Sequence, residues 1–194
     1  TQVGTIKPGD IKYRDLNGDN RINGDDKVVI GSTIPRYTFG LNIGANYKGI
    51  DLSMFFQGVG KADGYLQGPG IVPFVSGESV GGTVLEEHKD YWTENNRNAA
   101  YPRLAFNESN NNQVSTFWLK DASYLRLKNL QVGYTLPVNL TKKWGINHLR
   151  FFANGTNLFT LDKFWKGYNV EAPTGMVNFY PQVKVYSFGL EVKF

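Results

Sequence analysis

Alternating apolar and polar residues dominate the sequence from Thr38 onward. Within the last twelve residues, 183–194, every second residue from Tyr186 to Phe194 is apolar. The residues between them are polar or glycine. Side chains of a β-strand point alternately to opposite faces, so this pattern predicts a terminal strand with one continuous apolar face. That face ends on an aromatic residue, which is typical of strands whose apolar side contacts lipid.

The same alternation predicts four further strands. Two of them form a hairpin at 38–60 that turns at Lys48-Gly49, because a two-residue turn ending in glycine is typical of tight β-hairpins. The others span 117–136 and 148–160. Each strand has one mainly apolar parity and one mainly polar parity. The chain is therefore predicted to be an all-β protein with five antiparallel strands.

The alternation changes phase inside the strand predicted at 117–136. Leu125 and Leu127 fall on one parity, whereas Val132 and the apolar residues around it fall on the other. An extra residue in one strand of a pair shifts the faces in this way, so we expect a β-bulge near Asn129. The alternative is that the first part of this strand projects above the membrane.

The connections between these strands alternate in length. A tight turn joins the hairpin and a short turn lies at 137–147, whereas long loops lie at 61–116 and 161–182. Short turns at one end and long loops at the other are typical of transmembrane β-barrels, whose short turns are periplasmic and whose long loops are extracellular. Residues 1–37 then form part of a further extracellular loop.

Five strands cannot close a barrel, because transmembrane barrels have at least about 8 strands. The two outermost strands would present unpaired edges, which a bilayer does not tolerate. The sequence also begins without a start methionine or a signal-peptide pattern. We therefore expect a fragment or a processed chain whose partner strands lie upstream.

Helical signals are confined to two connections. Thr83 and Glu86 have capping-box spacing and predict a short helix that continues to about Trp92. A single helical turn is predicted around 140–144. No stretch approaches the roughly 18 consecutive apolar residues of a membrane-spanning helix, whereas a spanning strand needs only about 9–11 residues.

The composition narrows the possible chemistry. The chain has no cysteine, which excludes disulfides, thiolate nucleophiles and cysteine-ligated zinc. Its net charge is +4, but lysines and arginines are scattered and the longest basic run is Lys142-Lys143, so no nucleic-acid partner is expected. The 14% of aromatic residues and the 22 glycines favour an all-β chain.

Several segments resemble a known family. They are, in chain order, GDIKYRDLNGDNRIN (9–23), DYWTENNRNAAYPR (90–103), DASYLRLKNLQVGYTLP (121–137), FFANGTNLFTL (151–161), KGYNVEAP (166–173) and YPQVKVYSFGLEVKF (180–194). Together they are similar to the C-terminal barrel portion of the SusC/RagA-family TonB-linked outer-membrane transporters of the Bacteroidota. The second segment departs from the family pattern at Glu94, where the family often has proline, and this affects only the local turn.

The resemblance implies the C-terminal five strands of a barrel of about 22 strands in the Gram-negative outer membrane. It implies active import, with no enzymatic step, of a bulky nutrient that is a glycan or an oligopeptide. The implied partners are a SusD-like surface lipoprotein and the TonB–ExbB–ExbD complex, which acts through an N-terminal part not contained in the sequence. The apolar parity would contact lipid, and the polar parity would face the lumen: Asn42, Asn46, Asp51, Ser53, Gln57, Arg150, Asn154, Glu191 and Lys193.

A run of oxygen-bearing residues at 15–26 resembles a calcium loop. Calcium binds carboxylate, amide and carbonyl oxygens, which EF-hand loops supply at positions 1, 3, 5, 7, 9 and 12. Position 6 is Asn20 in place of glycine, and position 12 is aspartate in place of glutamate. We weigh a bound Ca²⁺ that rigidifies an outer loop against a solvated loop held by Asx turns. The candidate ligands are Asp15, Asn17, Asp19, Arg21 through its carbonyl, Asn23 and Asp26.

Aromatic residues in the predicted long loops are candidates for ligand binding, because flat rings beside polar groups suit sugar rings and peptides. Alternatively, these rings pack the loops together or contact the lipoprotein lid. The aromatic residues at strand ends are expected to form the interfacial girdle of the barrel. The loop candidates are Tyr65, Phe74, Trp92, Trp165 and Tyr168, and the girdle candidates are Phe39, Tyr47 and Tyr186.

Two other functions compete with transport. A soluble extracellular β-sandwich carbohydrate-binding module with a calcium loop would bury the apolar parity against a second sheet. An esterase would use Ser79 of a G-x-S-x-G motif at 77–81, followed by Asp121 and His148 in hydrolase order. The motif lies in a glycine-rich loop, whereas the nucleophile of such enzymes sits between a strand and a helix. The esterase is therefore the weaker alternative.

Overall fold

The structure is a computed structural model, and it describes residues 2–66, 68, 71, 73–74, 84–105, 110–172, 175 and 179–194. The chain forms two compact units. The loop unit comprises Thr1–Gly31, Gly64–Lys120 and Ala172–Phe179, and the sheet unit comprises Ser32–Asp63, Asp121–Glu171 and Tyr180–Phe194. Within the described ranges, no helix combines the length and the apolar character needed to cross a membrane.

Seven strands are present, and five of them form one antiparallel sheet. In chain order they are β1 (Tyr37–Tyr47), β2 (Ile50–Gly60), β3 (Asp63–Tyr65), β4 (Leu119–Asp121), β5 (Tyr124–Thr135), β6 (His148–Asp162) and β7 (Val185–Lys193). The large sheet has the order β1-β2-β5-β6-β7, and β3 pairs with β4 in a separate two-stranded sheet. The five long strands confirm the predicted strand count.

The hairpin between β1 and β2 turns at the predicted residues. Lys48 and Gly49 have φ angles of 48° and 85°, as a type I′ turn requires. A Cβ atom on Gly49 would lie 2.6 Å from the carbonyl oxygen of Thr135, so a larger residue would push β5 away at this end of the sheet. The two strands are 11 residues long each, which matches the length needed to cross the hydrocarbon layer.

The predicted bulge is confirmed. The pairing of β2 with β5 shifts register so that Phe56 faces Leu127 while Phe55 faces Asn129. Lys128 is therefore the extra residue, and it brings the apolar residues before and after it to the same face of the sheet. The strand β6 is also irregular opposite this point, where Asn157 has a φ angle of 54°. All of β5 thus pairs within the five-stranded sheet.

The apolar face of the sheet is uncovered. Phe39, Leu41, Phe151 and Phe188 are 52%, 53%, 50% and 85% exposed, although each would be expected in the core of a soluble protein. Four buried apolar residues of the sheet unit form a small cluster near the starts of β3 and β5: Ala62, Ala122, Tyr124 and Val170, with Val59 and Phe164 packed against it.

Two predicted boundaries need correction. The strand predicted to begin at residue 117 begins at Tyr124, because the Asp121 carboxylate accepts the backbone N–H of Ser123 and turns the chain. The helix predicted to continue to Trp92 is a single 3₁₀ turn at Glu86–Lys89. Its continuation is prevented because the Trp92 N–H donates to the carbonyl of Tyr101. Thr83, the predicted cap, lies outside the described residues.

The turn between β5 and β6 is as predicted. A four-residue helix α1 (Val138–Thr141) is followed by a 3₁₀ turn at Lys142–Trp144. Gly145 ends it with a φ angle of 73°, which is the left-handed conformation that favours glycine after a helical turn.

The loop unit has its own core. Its buried side chains include Leu66, Ile71, His88, Tyr101 and Trp118. The His88 and Tyr101 rings meet edge to face, with centroids 4.8 Å apart. The Trp118 indole N–H donates to the carbonyl of Asn111 at 2.8 Å, so the polar edge of this buried ring is satisfied.

Candidate functional site

The polar face of the sheet carries the residues predicted to face a lumen, and the strand register brings them into rows. The middle row contains amide, hydroxyl and glycine residues: Gly44, Ser53, Gln131, Asn154 and Ser187. The neighbouring row toward the long-loop end contains Asn42, Phe55, Asn129 and Thr156. Neither row contains a charged residue, and this uncharged belt lies between two ionic groups near the ends of the strands.

The first ionic group lies where the long loops begin, and we call it the Arg126 cluster: Tyr124, Arg126, Lys128, Asn169, Glu171 and Gln182. The Arg126 side chain is only 4% exposed. Its Nε donates to Thr160 Oγ1 at 2.7 Å and its Nη2 donates to Asn169 Oδ1 at 2.8 Å. Its Nη1 contacts the Glu171 carboxylate and the Gln182 side-chain oxygen. Asn169, Glu171 and Gln182, which lie between β6 and β7, are thereby fastened to the polar face of β5.

Glu171 is the negative centre of the Arg126 cluster. It accepts the Tyr124 hydroxyl at 2.5 Å and the Lys128 ammonium at 3.0 Å, in addition to Arg126. Burial raises the pKa of Glu171, but the hydrogen bonds and the two nearby positive charges outweigh it and hold the pKa below its ordinary value. Glu171 is therefore ionised at neutral pH, as the buried guanidinium requires.

The second ionic group lies at the short-turn end of the same face. Arg150 on β6 binds Asp51 on β2 through two hydrogen bonds of 2.9 and 2.6 Å, so the pair crosses the intervening strand β5. It crosses at Gly133, where a Cβ atom would overlap the Asp51 carboxylate and lie 2.5 Å from Arg150 Nη2. A larger residue at this position would therefore displace the two ends of this ion pair. Arg150 also lies over the Phe152 ring at 5.0 Å.

The uncharged belt has free polar groups. Within the described part of the chain, the side chains of Asn42, Asn129, Gln131 and Asn154 make no hydrogen bond. An amide can offer two donors and an acceptor at once. These groups can therefore bind water or a solute that presents hydroxyl or amide groups, and no charge on the belt would attract or repel that solute.

The predicted ligand-binding aromatic residues lie in different environments. Tyr65, Phe74 and Trp92 belong to the loop unit, where the Trp92 ring covers Gly9 so closely that no Cβ atom fits there. Trp165 and Tyr168 belong to the sheet unit, where Trp165 is 7% exposed and Tyr168 is half-buried. Packing thus surrounds Trp92 and Trp165, while Tyr168 is partly exposed. Ligand binding by all five stays a prediction.

The predicted calcium loop is an irregular segment held by its own side chains. The Asp15 carboxylate accepts the N–H groups of Gly18 and Asn20, and Asp26 accepts those of Leu16 and Asn23. Asn17, Asp19 and Asn23 make similar Asx turns.

Asn20 has the positive φ angle, 63°, that its position in such a loop requires. In the described ranges, no three acidic or histidine side chains lie together as metal ligands. Each carboxylate oxygen keeps a second lone pair beside the N–H that it accepts, and this lone pair could bind a cation. Calcium binding by these carboxylates, the Arg21 carbonyl and the other candidate ligands therefore stays a prediction.

The loop unit contains a buried ion pair that the sequence did not reveal. The Asp10 side chain is 1% exposed, and Arg103 Nε lies 2.6 Å from it. Asn111 Nδ2 donates to the same carboxylate at 2.8 Å, and so does the Lys7 N–H at 2.7 Å. Burial raises the pKa of Asp10, but these hydrogen bonds and the Arg103 charge lower it by more, so its pKa lies below the ordinary value.

His88 is a buried neutral histidine. Its Nδ1 accepts the Leu85 N–H at 3.1 Å, so the proton lies on Nε2, which donates to the Ile71 carbonyl at 2.9 Å. Burial lowers the pKa of His88, and the Ile71 carbonyl and the charge of Glu87 oppose this only in part. Protonation of Nδ1 would place a second N–H against that of Leu85.

The residues of the esterase alternative do not converge. Ser79 lies outside the described residues. Asp121 precedes the start of β5, whereas His148 starts β6 beside the far end of β5. More than ten residues of strand separate these ends, which corresponds to over about 30 Å at roughly 3.3 Å per residue. An acid and a base at that separation cannot act on one nucleophile.

Sequence reasoning missed the Arg126 cluster, although a signal for it was present. Arg126 and Lys128 lie inside a predicted strand, where a charge must find a partner or face water. The partner Glu171 lies in another segment of the family resemblance, at 166–173, but sequence spacing gives no measure of the distance between the two. The Asp51–Arg150 pair, in contrast, consists of two residues already assigned to the polar face.

The fold and the polar face together define a class of protein. Five long antiparallel strands expose an apolar face of aromatic and aliphatic side chains and hold charged groups on the opposite face. A water-soluble sheet would cover such an apolar face, whereas a barrel wall presents it to lipid. The sheet is therefore part of the wall of an outer-membrane β-barrel.

Comparison with known proteins agrees with this class. No protein-family model matches the chain. The chain is 28% identical over its whole length to TonB-dependent receptor P3 of Formosa agariphila. It is 30% identical over 96% of its length to TonB-dependent receptor P26 of the same organism. It covers 20% of each of these two relatives. It is 26% identical over 97% of its length to TonB-dependent receptor SusC of Bacteroides thetaiotaomicron, covering 18% of that protein.

A solved structure shares the fold. The RagAB peptide importer in its closed-closed state superposes with a TM-score of 0.70 at 28% identity, over 90% of this chain and 19% of the matched chain. The relatives that cover this chain are thus TonB-dependent receptors, SusC among them, and the RagAB importer, as the resemblance to the SusC/RagA family implied, and the chain corresponds to part of their barrel. It spans about a fifth of the length of the relatives that it matches. These relatives are named as receptors and an importer, which fits a protein without enzymatic activity.

Proposed function

We propose that the complete protein is a TonB-dependent importer that carries a bulky nutrient, a glycan or an oligopeptide, across the outer membrane. The TonB–ExbB–ExbD complex would supply the energy, and a SusD-like lipoprotein would assist at the cell surface. The residues of this chain would contribute five strands of the barrel wall and one extracellular loop fastened to it. No step of this function makes or breaks a covalent bond.

The contrast between the two faces of the sheet carries this proposal. Each of the five long strands has exposed side chains on the apolar face, and burying such side chains in an apolar medium is favourable by about 25 cal/mol per Å². The polar face holds two ionic groups and the uncharged belt between them. Only a wall with lipid on one side and water on the other satisfies both faces at once.

The relatives' names support the coarse function and leave the nutrient open. One relative is a peptide importer by its name, and others are named only as TonB-dependent receptors. An uncharged belt rich in amides suits the hydroxyls of a glycan and the backbone of a peptide equally well. The proposal therefore retains both nutrient classes.

The β-sandwich alternative is not favoured. It requires Phe39, Leu52, Phe151 and Phe188 to lie together between two sheets. Phe39, Phe151 and Phe188 are instead half or more exposed, and Phe188 is the most exposed of them. A carbohydrate-binding module with that much uncovered apolar surface would aggregate in water.

The adjacent residues Ser187 and Phe188 test the assignment of the two faces. They lie near the middle of β7 on opposite sides, so Ser187→Lys and Phe188→Lys add the same charge at the same depth of the wall. A lysine on the lipid side near the bilayer centre costs about 2–4 kcal/mol, whereas a lysine in a water-filled lumen costs little. We expect Phe188→Lys to reduce the folded, heat-modifiable form of the full-length protein in outer-membrane fractions, and Ser187→Lys to preserve it.

Equal losses in the two variants would overturn the assignment of faces. Transport itself is tested by supplying cells with a tryptic peptide mixture or a mixture of neutral oligosaccharides and measuring depletion of the medium by mass spectrometry. Depletion should require both the full-length protein and TonB. Depletion that persists without TonB would contradict the proposed function.

A further inference from the structure

Two parts of the chain that are distant in sequence meet at Arg126. The guanidinium belongs to β5, but Asn169, Glu171 and Gln182, which receive most of its hydrogen bonds, belong to the connection between β6 and β7. Thr160 accepts the remaining Nε–H from within β6. A guanidinium has five N–H donors in a rigid fork, so its partners are held in defined positions and not merely attracted.

Apolar packing fastens the same loop at a second place. Val170 is buried with Ala122 and Tyr124, and Phe164 packs against this group. The backbone from 164 to 171 is therefore attached at both of its ends to the wall. Between these attachments, Trp165 is buried, Lys166 and Gly167 are exposed, and Tyr168 is half-buried.

Stability alone does not account for an arginine at this position. Transfer of a guanidinium from water to a buried site is costly, and well-packed apolar residues often stabilise such a site at least as well as an ion pair does. What the ion pair adds is a single geometry, because a displaced loop would leave the charges of Arg126 and Lys128 without their carboxylate. The loop therefore has one strongly preferred position on the wall.

We propose that Arg126 is a positioning residue of the transport path, which holds residues 163–171 inward against the polar face so that Tyr168 meets the nutrient at the extracellular mouth. The inference rests on the proposed function, since it assumes that this face lines the passage. It makes residues 163–171 an immobile part of the lining at the extracellular end of the passage. Tyr168 is partly exposed and carries an aromatic ring and a hydroxyl, the kinds of group that suit a sugar ring or a peptide side chain.

The position of the loop can be measured without transport. Lys163 and Lys166 are exposed on the loop and are sites for trypsin added to intact cells that express the full-length protein. We expect Arg126→Met and Glu171→Gln to increase cleavage at these sites at least tenfold, measured by mass spectrometry of the released peptides. Arg150→Met is the matched control, because it removes an ion pair of the same face at the short-turn end and should leave the cleavage rate unchanged.

Uptake distinguishes positioning from a merely structural role. With whichever nutrient mixture the cells deplete, Arg126→Met should raise the half-saturating concentration at least fivefold and change the maximal rate less than twofold. Tyr168→Ala should raise it by a similar factor. The half-saturating concentration of the double variant, Arg126→Met with Tyr168→Ala, should not exceed that of the poorer single variant. The reason is that both substitutions remove the same contact with the nutrient.

The outcomes separate the two proposals. Unchanged cleavage in both Arg126→Met and Glu171→Gln would overturn the inference whether or not the protein transports anything. Faster cleavage with an unchanged half-saturating concentration would overturn the role of the loop in the transport path. Failure of the unaltered protein to deplete either mixture would contradict the proposed function and leave the cleavage test intact. If Arg126→Met does not reach the outer membrane, Glu171→Gln and Tyr168→Ala carry the same tests.

Discussion

The buried pair between Asp10 and Arg103 gives a prediction whose size follows from the structure. Asp10 is almost fully buried and Arg103 is 16% exposed, so Asp10→Ala leaves a largely desolvated guanidinium without its carboxylate. Removing one partner of a fully buried pair costs about 3–5 kcal/mol. Because Arg103 keeps some contact with water, we expect about 2–3 kcal/mol, which corresponds to about a 30- to 140-fold increase in local opening.

Hydrogen exchange measures this opening at defined amides. The Ile11 N–H donates to Asn111 Oδ1 at 2.9 Å, and the Arg103 N–H donates to the Gly9 carbonyl at 2.9 Å, so both are protected only while the pair is intact. In the full-length protein, Asp10→Ala should lower the protection of both amides by that factor. The Tyr101 N–H, which donates to the Asp90 carbonyl, serves as an internal reference.

An exposed ion pair of the same unit is the control. Glu86 and Lys89 are 89% and 75% exposed, and exposed pairs contribute about 0–1 kcal/mol. Glu86→Ala should therefore leave exchange almost unchanged. If Asp10→Ala has no larger effect than Glu86→Ala, burial does not govern the strength of this pair and the reasoning is refuted. Because folding lowers the pKa of Asp10, its contribution is present at neutral pH and is lost only as the pH falls below about 4.

Three further predictions concern pH, packing and metal. Folding lowers the pKa of His88, so its contribution to stability is present above about pH 6.5 and declines as the pH falls further. Hydrogen exchange of the loop-unit amides should therefore accelerate on acidification in the wild type, and His88→Gln should abolish this pH dependence. Gly133→Val should separate the ion pair of Arg150 and lower the temperature at which the folded barrel band disappears on SDS gels, whereas a normal band would contradict the close approach. Addition of about 1 mM Ca²⁺ should slow trypsin cleavage within 15–26, and a chelator should restore the original rate. The Asp15→Asn variant should not respond to Ca²⁺. Equal cleavage rates with and without Ca²⁺ in the wild type would exclude calcium binding by this loop.

The sequence by itself determined the five long strands, their faces and the short turns that join β1 to β2 and β5 to β6. The parity of residues such as Phe188 and Ser187 requires opposite faces for any strand, whatever its neighbours. Lys48-Gly49 required a tight turn because its second residue tolerates a positive φ angle. The phase change around Asn129 required a bulge, since a regular strand cannot place the apolar residues of both halves of β5 on one face.

Only the tertiary structure decided which charged groups meet. Arg126 and Glu171 lie 45 residues apart, and the sequence contains other acidic residues that could equally have faced the arginine. The register of β5 with β6, together with the docking of Val170, selected Glu171. The same holds for Asp10 and Arg103, because periodicity describes the neighbours along one element and says nothing about distances between loops.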